Sequence, residues 1–157
     1  MKKILVTSDT HGMYDAISDY ILVHDDIDLL IHAGDGLEDV RNINYETGID
    51  YYAVKGNNDY FINEEYDKII DIEGIKILLS HGHKYGIDFT YEKILAKAKE
   101  LSCDIVIFGH IHQFVNEYRN GILLLNPGSP SLARDGLYGF VILEIDKDIK
   151  VKRVELN

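Results

Sequence analysis

Short apolar runs, separated by polar and glycine-containing breaks, recur along the whole chain. Runs of strand length occupy residues 4–6, 29–31, 51–54, 75–79, 105–108, 122–125 and 140–143. Each is too short for a helix and rich in β-branched or aromatic side chains, so each is read as a strand. Several lack alternation, as in Ile105-Val106-Ile107-Phe108, which marks strands covered on both faces. Helical periodicity appears between them. Residues 89–101 place Ile94, Leu95, Ala98 and Leu101 on one stripe, with Asp88 or Thr90 available to cap the start. A second helix is expected over residues 13–23, with Tyr14, Ile17 and Ile21 facing inward. This alternation predicts α/β layers with substantial parallel pairing.

The last third changes character. Residues 114–119, 122–126, 138–146 and 150–155 read as strands with little helix between them, which predicts antiparallel pairing. Asn120-Gly121 is a favoured type I′ pair between two such runs, and Asp146-Lys147-Asp148 offers a second hairpin connection. No Pro- or Ser-rich linker, repeat or low-complexity tract interrupts the chain, so one domain over residues 1–157 is expected.

Composition narrows the function classes. Hydrophobic residues at 46% and charged residues at 27% exclude a disordered or collagen-like chain. Sixteen Lys and Arg against 27 Asp and Glu give a net charge of −11, which argues against an extended nucleic-acid groove and weakens a nuclease reading. Any anionic substrate then needs locally placed positive charge. The single cysteine, Cys103, precludes an internal disulfide and reads as a small buried hydrophobe in a reducing compartment. The apolar run near the N-terminus is too short for a signal peptide, and no run approaches a membrane span. A cytoplasmic protein with no membrane partner is expected. The apolar strands near the C-terminus are read as core or as a homodimer face.

The chemistry lies where the strands end. Residues 4–6 run into Asp9-Thr10-His11, residues 29–31 into Gly34-Asp35, Val54 into Gly56-Asn57-Asn58-Asp59, residues 75–79 into His81-Gly82-His83, and residues 105–108 into Gly109-His110-Ile111-His112. Parallel strands of an α/β sheet share one carboxyl edge, so these turns converge. Taken singly they are weak signals: Asp-x-His and Gly-Asp are common, and Gly-Asn-Asn-Asp is an ordinary turn. Five strand ends carrying ligand-type residues together are not. Five of the chain's seven histidines fall there; His24 reads as surface and His32 as core-adjacent. Carboxylate, imidazole and amide form a borderline donor set suited to manganese, iron, zinc, cobalt or nickel. Seven donors exceed one catalytic ion but suit two ions roughly 3.5–4 Å apart. The glycines before Asp35, Asn57 and His110 are expected to permit the tight turns.

In this order, the motifs Asp9-x-His11, Gly34-Asp35, Gly56-Asn57-x-Asp59, His81-Gly82-His83 and Gly109-His110-x-His112 resemble those of the calcineurin-like metallophosphoesterases over nearly the whole chain. The compact length and the segment Asn126-Pro127-Gly128-Ser129 resemble the small bacterial and archaeal phosphodiesterase branch. The resemblance implies a four-layer αββα sandwich and two divalent ions, manganese first, with nickel, zinc, iron, cobalt or magnesium as alternatives. It places Asp9, His11, Asp35 and His112 on one ion, and Asp35, Asn57, His81 and His110 on the other, with Asp35 as bridge. It implies hydrolysis of a small phosphodiester by water or hydroxide between the ions, whose pKa falls from about 15.7 toward about 7. The fold also resembles retromer's small metallophosphoesterase-like subunit, so a protein-interaction scaffold is the alternative function.

Asn58, Asp59 and His83 are secondary catalytic candidates. Asn58 stands where strong general-acid members of the superfamily carry histidine. An amide donates a hydrogen bond but no proton at neutral pH, so slow turnover of esters with poor leaving groups is expected. Asp59 is read as orienting a ligand histidine or capping its own turn. His83 is read as contacting phosphate or anchoring its loop. Ser129 and Arg134 flank the Asn-Pro-Gly segment and read as a turn residue and a solvated arginine, or as contacts to an anionic substrate.

Overall fold

The computed structural model describes residues 1–60 and 62–156. In chain order its elements are β1 (Lys2–Thr7), α1 (Asp15–Val23), β2 (Leu29–His32), α2 (Leu37–Thr47), β3 (Tyr51–Ala53), β4 (Asp67–Ile72), β5 (Ile75–Ser80), a 3-10 turn at His83–Tyr85, α3 (Glu92–Glu100), β6 (Ile105–Ile107), β7 (Phe114–Arg119), β8 (Ile122–Pro127), β9 (Gly139–Ile145) and β10 (Ile149–Glu155). The strands form two five-stranded mixed sheets, ordered β10-β9-β1-β2-β3 and β4-β5-β6-β8-β7.

Side-chain alternation builds four layers from these strands. Ile4 and Val6 of β1 point between the sheets, where they meet a core that includes Ile31, Leu79, Ile107, Leu125 and Val141. Leu5 points outward and packs with Leu30 against Ile17, Ile21, Val40 and Ile43 of α1 and α2. On the other sheet Leu78, Val106 and Leu124 lie under Ile94 and Ala98 of α3. Burial on both faces explains the runs without alternation, and each fully buried Leu or Ile contributes about 1.5–3 kcal/mol. The αββα sandwich is therefore present.

Several elements differ from their sequence-based outlines. Helix α3 begins at Glu92, and Thr90 Oγ1 accepts the Glu92 N–H at 3.2 Å while Asp88 is engaged elsewhere. Helix α2 has no counterpart in the sequence reading. Its inward stripe of Leu37, Val40 and Ile43 is narrow, and Asn42 and Asn44 are poor helix formers. Gly48 ends it in a left-handed conformation, its N–H donating to the Asn44 carbonyl at 2.8 Å. Strand β4 was also missed; half its residues are polar, and it holds an edge of its sheet. In the last third β7–β8 and β9–β10 are antiparallel hairpins, but β8 also pairs parallel with β6. Strand β9 is interior and buried, and the outer strand β10 exposes Lys150 and Lys152. Cys103 is buried, which pushes its thiol pKa up.

The parallel pairs place the site. Thr7 lies opposite His32, His32 opposite Ala53, and Leu79 opposite Ile107. Five strands therefore end at one level, and the turns after them meet above both sheets. Among the described residues no helix is long and apolar enough to cross a membrane.

Candidate metal centre

Five of the seven proposed ligands close on one space. The buried Asp9 Oδ1 lies 3.2 Å from His112 Nε2, 3.8 Å from His81 Nε2 and 3.9 Å from His11 Nε2. Asp35 Oδ2 lies 3.4 Å from His81 Nε2 and 3.7 Å from His11 Nε2. Asp9, His11 and His112 form one group with metal-binding spacing, and Asp9, Asp35 and His81 form another. Asp9 is the residue common to the two groups, while Asp35 Oδ2 sits between His11 and His81 and so is placed to reach both.

The donor atoms fit a cation. Asp9 Oδ1, His11 Nε2 and His81 Nε2 are buried with no hydrogen-bond partner, an arrangement costly unless a charge sits among them. His81 Nδ1 is 2.7 Å from the Ala33 carbonyl and His112 Nδ1 is 2.8 Å from the Leu132 carbonyl. A carbonyl accepts only, so each Nδ1 carries the proton and each Nε2 lone pair is free for a metal.

Electrostatics in the metal-free chain agree. Burial alone pushes the Asp9 carboxyl up, but His11, His112 and His81 outweigh it and hold its pKa well below the usual carboxylate range. Asp35 behaves alike: His81 and the Asn58 amides overcome its burial and lower its pKa to about 2. The pKa of His81 is raised because Asp35 and Asp9 outweigh its burial, and that of His112 is raised chiefly by the Asp9 carboxylate 3.2 Å away.

His110 and Asn57 lie outside both groups. The His110 ring stands 5.2 Å from that of His81, and its Nε2 is 3.0 Å from Asp88 Oδ2. Asn57 is exposed at the tip of its turn. Asn58 does not face outward as a donor to a leaving group: its N–H and Nδ2 both donate to the Asp35 carboxylate at 2.8 Å. Asp59 neither orients a histidine nor caps only its own turn. Buried at 6% exposure, it accepts the N–H groups of Asp35, Gly36, Leu37 and Gly56, tying the Asp35 turn and the start of α2 to the Asn57 turn. His83 is half-buried beside His81 and His110, with Nδ1 unpartnered; burial and those two rings lower its pKa.

Residues beyond the proposed ligands hold the centre in place, among them Ser8, Thr10 and Asp39, which the sequence reading did not single out, and Ser129, which braces a ligand turn. Ser8 Oγ donates to Asp9 Oδ2 at 2.6 Å, and the His110 N–H donates to the same oxygen at 3.0 Å. Ser129, fully buried, donates to the Asp9 carbonyl, and Asn126 Nδ2 donates to the Gly109 carbonyl, so the Asn-Pro-Gly-Ser segment braces two ligand turns. His32, also fully buried, accepts the Gly34 N–H on Nδ1; its Nε2–H therefore faces Thr10 Oγ1, which donates to Asp39 Oδ2 at 2.5 Å. Asp39 also accepts the Gly12 N–H, completing a link from the Asp35 turn to the His11 turn. Spacing hides this link, since its members belong to three separate segments.

The glycines serve in two ways. Gly34 is left-handed at φ +99°, as the turn argument expects. Gly56 and Gly109 are not left-handed; they are small because a Cβ would strike Asp35 at one position and Ser8 and Asp9 at the other. Size does not locate the site. A cavity of about 610 Å³ lined by Lys2, Leu29, Tyr51 and Glu73 opens at the opposite end, away from every ligand candidate.

Comparison with known proteins shows the family. Residues 1–148 match the calcineurin-like phosphoesterase superfamily domain. The probable metallophosphoesterase YsnB of Bacillus subtilis is 34% identical over 147 residues, covering 91% of this chain and 85% of that protein. A phosphodiesterase of Methanocaldococcus jannaschii is 30% identical over 167 residues, covering 92% and 94%. A crystal structure of wild-type Vps29 from Entamoeba histolytica complexed with zinc shares 25% identity at a TM-score of 0.77, covering 99% of both chains. By fold and by sequence, the chain belongs to the calcineurin-like phosphoesterase superfamily.

Proposed function

We propose that this protein is a metal-dependent phosphodiesterase that hydrolyses a small phosphodiester with two divalent ions at the strand ends. The observation that carries the reading is the convergence of Asp9 Oδ1, His11 Nε2 and His81 Nε2, buried and unpartnered, beside His112 and Asp35. One ion would be held by Asp9, His11, Asp35 and His112, the other by Asp35, Asn57, His81 and His110. Manganese is our first candidate, followed by nickel, zinc, iron, cobalt and magnesium. The archaeal relative, a phosphodiesterase, supports diester over monoester chemistry.

Such ions supply Lewis-acid polarisation of phosphoryl oxygens and make water a nucleophile near neutral pH. The chain's own groups supply position and charge. Asp9 and Asp35 stay ionised through the neutral range because their pKa values are lowered. Asn58 fixes the Asp35 carboxylate by two bonds, and Asp88 fixes the His110 ring, so neither ligand has to be ordered when substrate arrives. His83 stands beside His81 and His110, and burial and those two rings lower its pKa, so it adds little positive charge there. With the Asn58 amide committed to Asp35, no side chain of that turn delivers a proton to the leaving group, which favours esters whose leaving groups need none.

Metal binding alone does not separate a hydrolase from an assembly protein, since the Vps29 neighbour is complexed with zinc. Turnover does. Chelator-stripped protein reconstituted with each metal is expected to cleave bis-p-nitrophenyl phosphate faster than p-nitrophenyl phosphate, and Asp35→Asn to reduce the rate at least about 100-fold. No cleavage by protein carrying two ions per chain would overturn the reading in favour of the scaffold.

A further inference from the structure

A cavity of about 410 Å³ shares a wall with the metal centre. Asp88, which lines it, holds His110 through Nε2, and the backbone N–H of Arg134, also in its lining, donates to the His112 carbonyl at 2.9 Å. Two guanidinium groups, Arg119 and Arg134, border it in a chain of net charge −11. The Arg119 guanidinium lies 5.1 Å from the Tyr91 ring centre and bonds Glu117 at 3.1 Å. Among the described residues the Arg134 side chain makes no ion pair or hydrogen bond. The Asp88 carboxylate, the one acidic group in the lining, is occupied by His110.

An unpaired arginine and a second arginine beside the metal centre form a recognition set for an anion. Arginine matches phosphate by charge-assisted bonds. We infer that this cavity is a substrate subsite that takes a second phosphate, so the diester cleaved at the metal centre bears a further phosphate. The inference rests on the phosphodiesterase reading for where the scissile bond lies, but the cavity's anion selectivity stands without it. It also places the local positive charge that an acidic chain requires in order to hold an anionic substrate.

Two thymidine compounds test it: thymidine 5′-(p-nitrophenyl phosphate) and its 3′-phosphorylated counterpart, which release the same nitrophenol and differ only in the second phosphate. Metal-loaded wild type is expected to show a kcat/KM about tenfold higher for the 3′-phosphorylated compound, expressed in KM, the size of one charge-assisted hydrogen bond. Arg134→Ala should bring the ratio to near unity; because both compounds are measured on each variant, a general loss of rate cancels. Calorimetry gives a readout that needs no turnover: wild type should bind thymidine 3′,5′-bisphosphate about tenfold more tightly than thymidine 5′-monophosphate, and Arg134→Ala should bind them alike. Equal affinities in wild type, or a preference that survives Arg134→Ala and the Arg119→Ala/Arg134→Ala double variant, would overturn the inference. Failure to hydrolyse bis-p-nitrophenyl phosphate would instead remove the phosphodiesterase reading, and the calorimetric comparison would still decide this one.

Discussion

At the end of the sandwich away from the metal centre, left-handed backbone outside glycine falls on Glu73, Ser102 and Asn120. All three are exposed, and Glu73 and Asn120 are each followed by a left-handed glycine in a hairpin turn. At the other end the same conformation falls on Asp9, His11, Asp35, His110 and His112. Asp9 and Asp35 are buried, the three histidines are half-buried, and all five are proposed ligands. The first end uses the conformation at exposed positions, two of them hairpin turns that reverse the chain. The second uses it at aspartate and histidine, which with asparagine adopt it most readily, and surrounding bonds over-determine those turns. Ser8, Asp59, Ser129 and Asn126 supply those bonds. Left-handed backbone away from the exposed surface falls only on would-be ligands among the described non-glycine residues, and so marks the functional end independently of any motif.

The largest expected effect comes from filling the space that the ligand turns share. In Gly56→Ala the new Cβ would stand 2.5 Å from the Asp35 backbone nitrogen and strike its carboxylate. Neither can retreat, since Asp59 holds the Asp35 N–H and Asn58 holds the carboxylate. A loss of about 1–3 kcal/mol is expected by thermal unfolding, together with about a 100-fold loss of diester hydrolysis from displaced ligands. Wild-type activity in a stably folded Gly56→Ala would show that the turns are not over-determined.

A second effect is in the pH profile. Asp9 and Asp35 have lowered pKa values, so their contribution to the metal-free fold is complete above the ordinary value of 3.8 and is lost as pH falls toward the lowered values. His81 and His112 have raised values, so theirs is complete below the ordinary 6.5 and is lost as pH climbs through the raised values. The melting temperature of chelated protein should therefore peak between those two ordinary values. Manganese needs deprotonated imidazoles, so it should move the peak upward in pH. A profile that metal leaves unchanged would place the ion elsewhere.

The smallest effect is expected at the far end. Gly121 has φ +79° with nothing within 4 Å of a built Cβ, so Gly121→Ala meets only the left-handed penalty of about 1 kcal/mol. Manganese affinity, read by titration, should not change. A change there would mean that the two ends are coupled through the sheets.

Much of this was legible along the chain. The strands at residues 4–6 and 105–108 were visible because both faces are buried, and the hairpin at Asn120-Gly121 because few residues other than Asn and Gly accept two successive positive φ values, here 53° and 79°. The convergence of Asp9, His11, Asp35, His81 and His112 followed from strand ends sharing an edge. Helix α2 was not legible, because its start is stabilised by Asp59, twenty-two residues beyond Leu37, rather than by a local cap. For the same reason the role of Asp59 could not be read from its own turn.

The amino-acid sequence by itself determined the α/β class, the family resemblance and the kinds of donor atom present, because hydrophobic period and residue type are properties of short segments. Only the tertiary structure decided which nitrogen of His81 and His112 is free, that His32, Thr10 and Asp39 link two ligand turns, and that Gly56 and Gly109 are small to admit a neighbour's atoms rather than to bend the chain. Those facts depend on distances between segments, which no local pattern encodes.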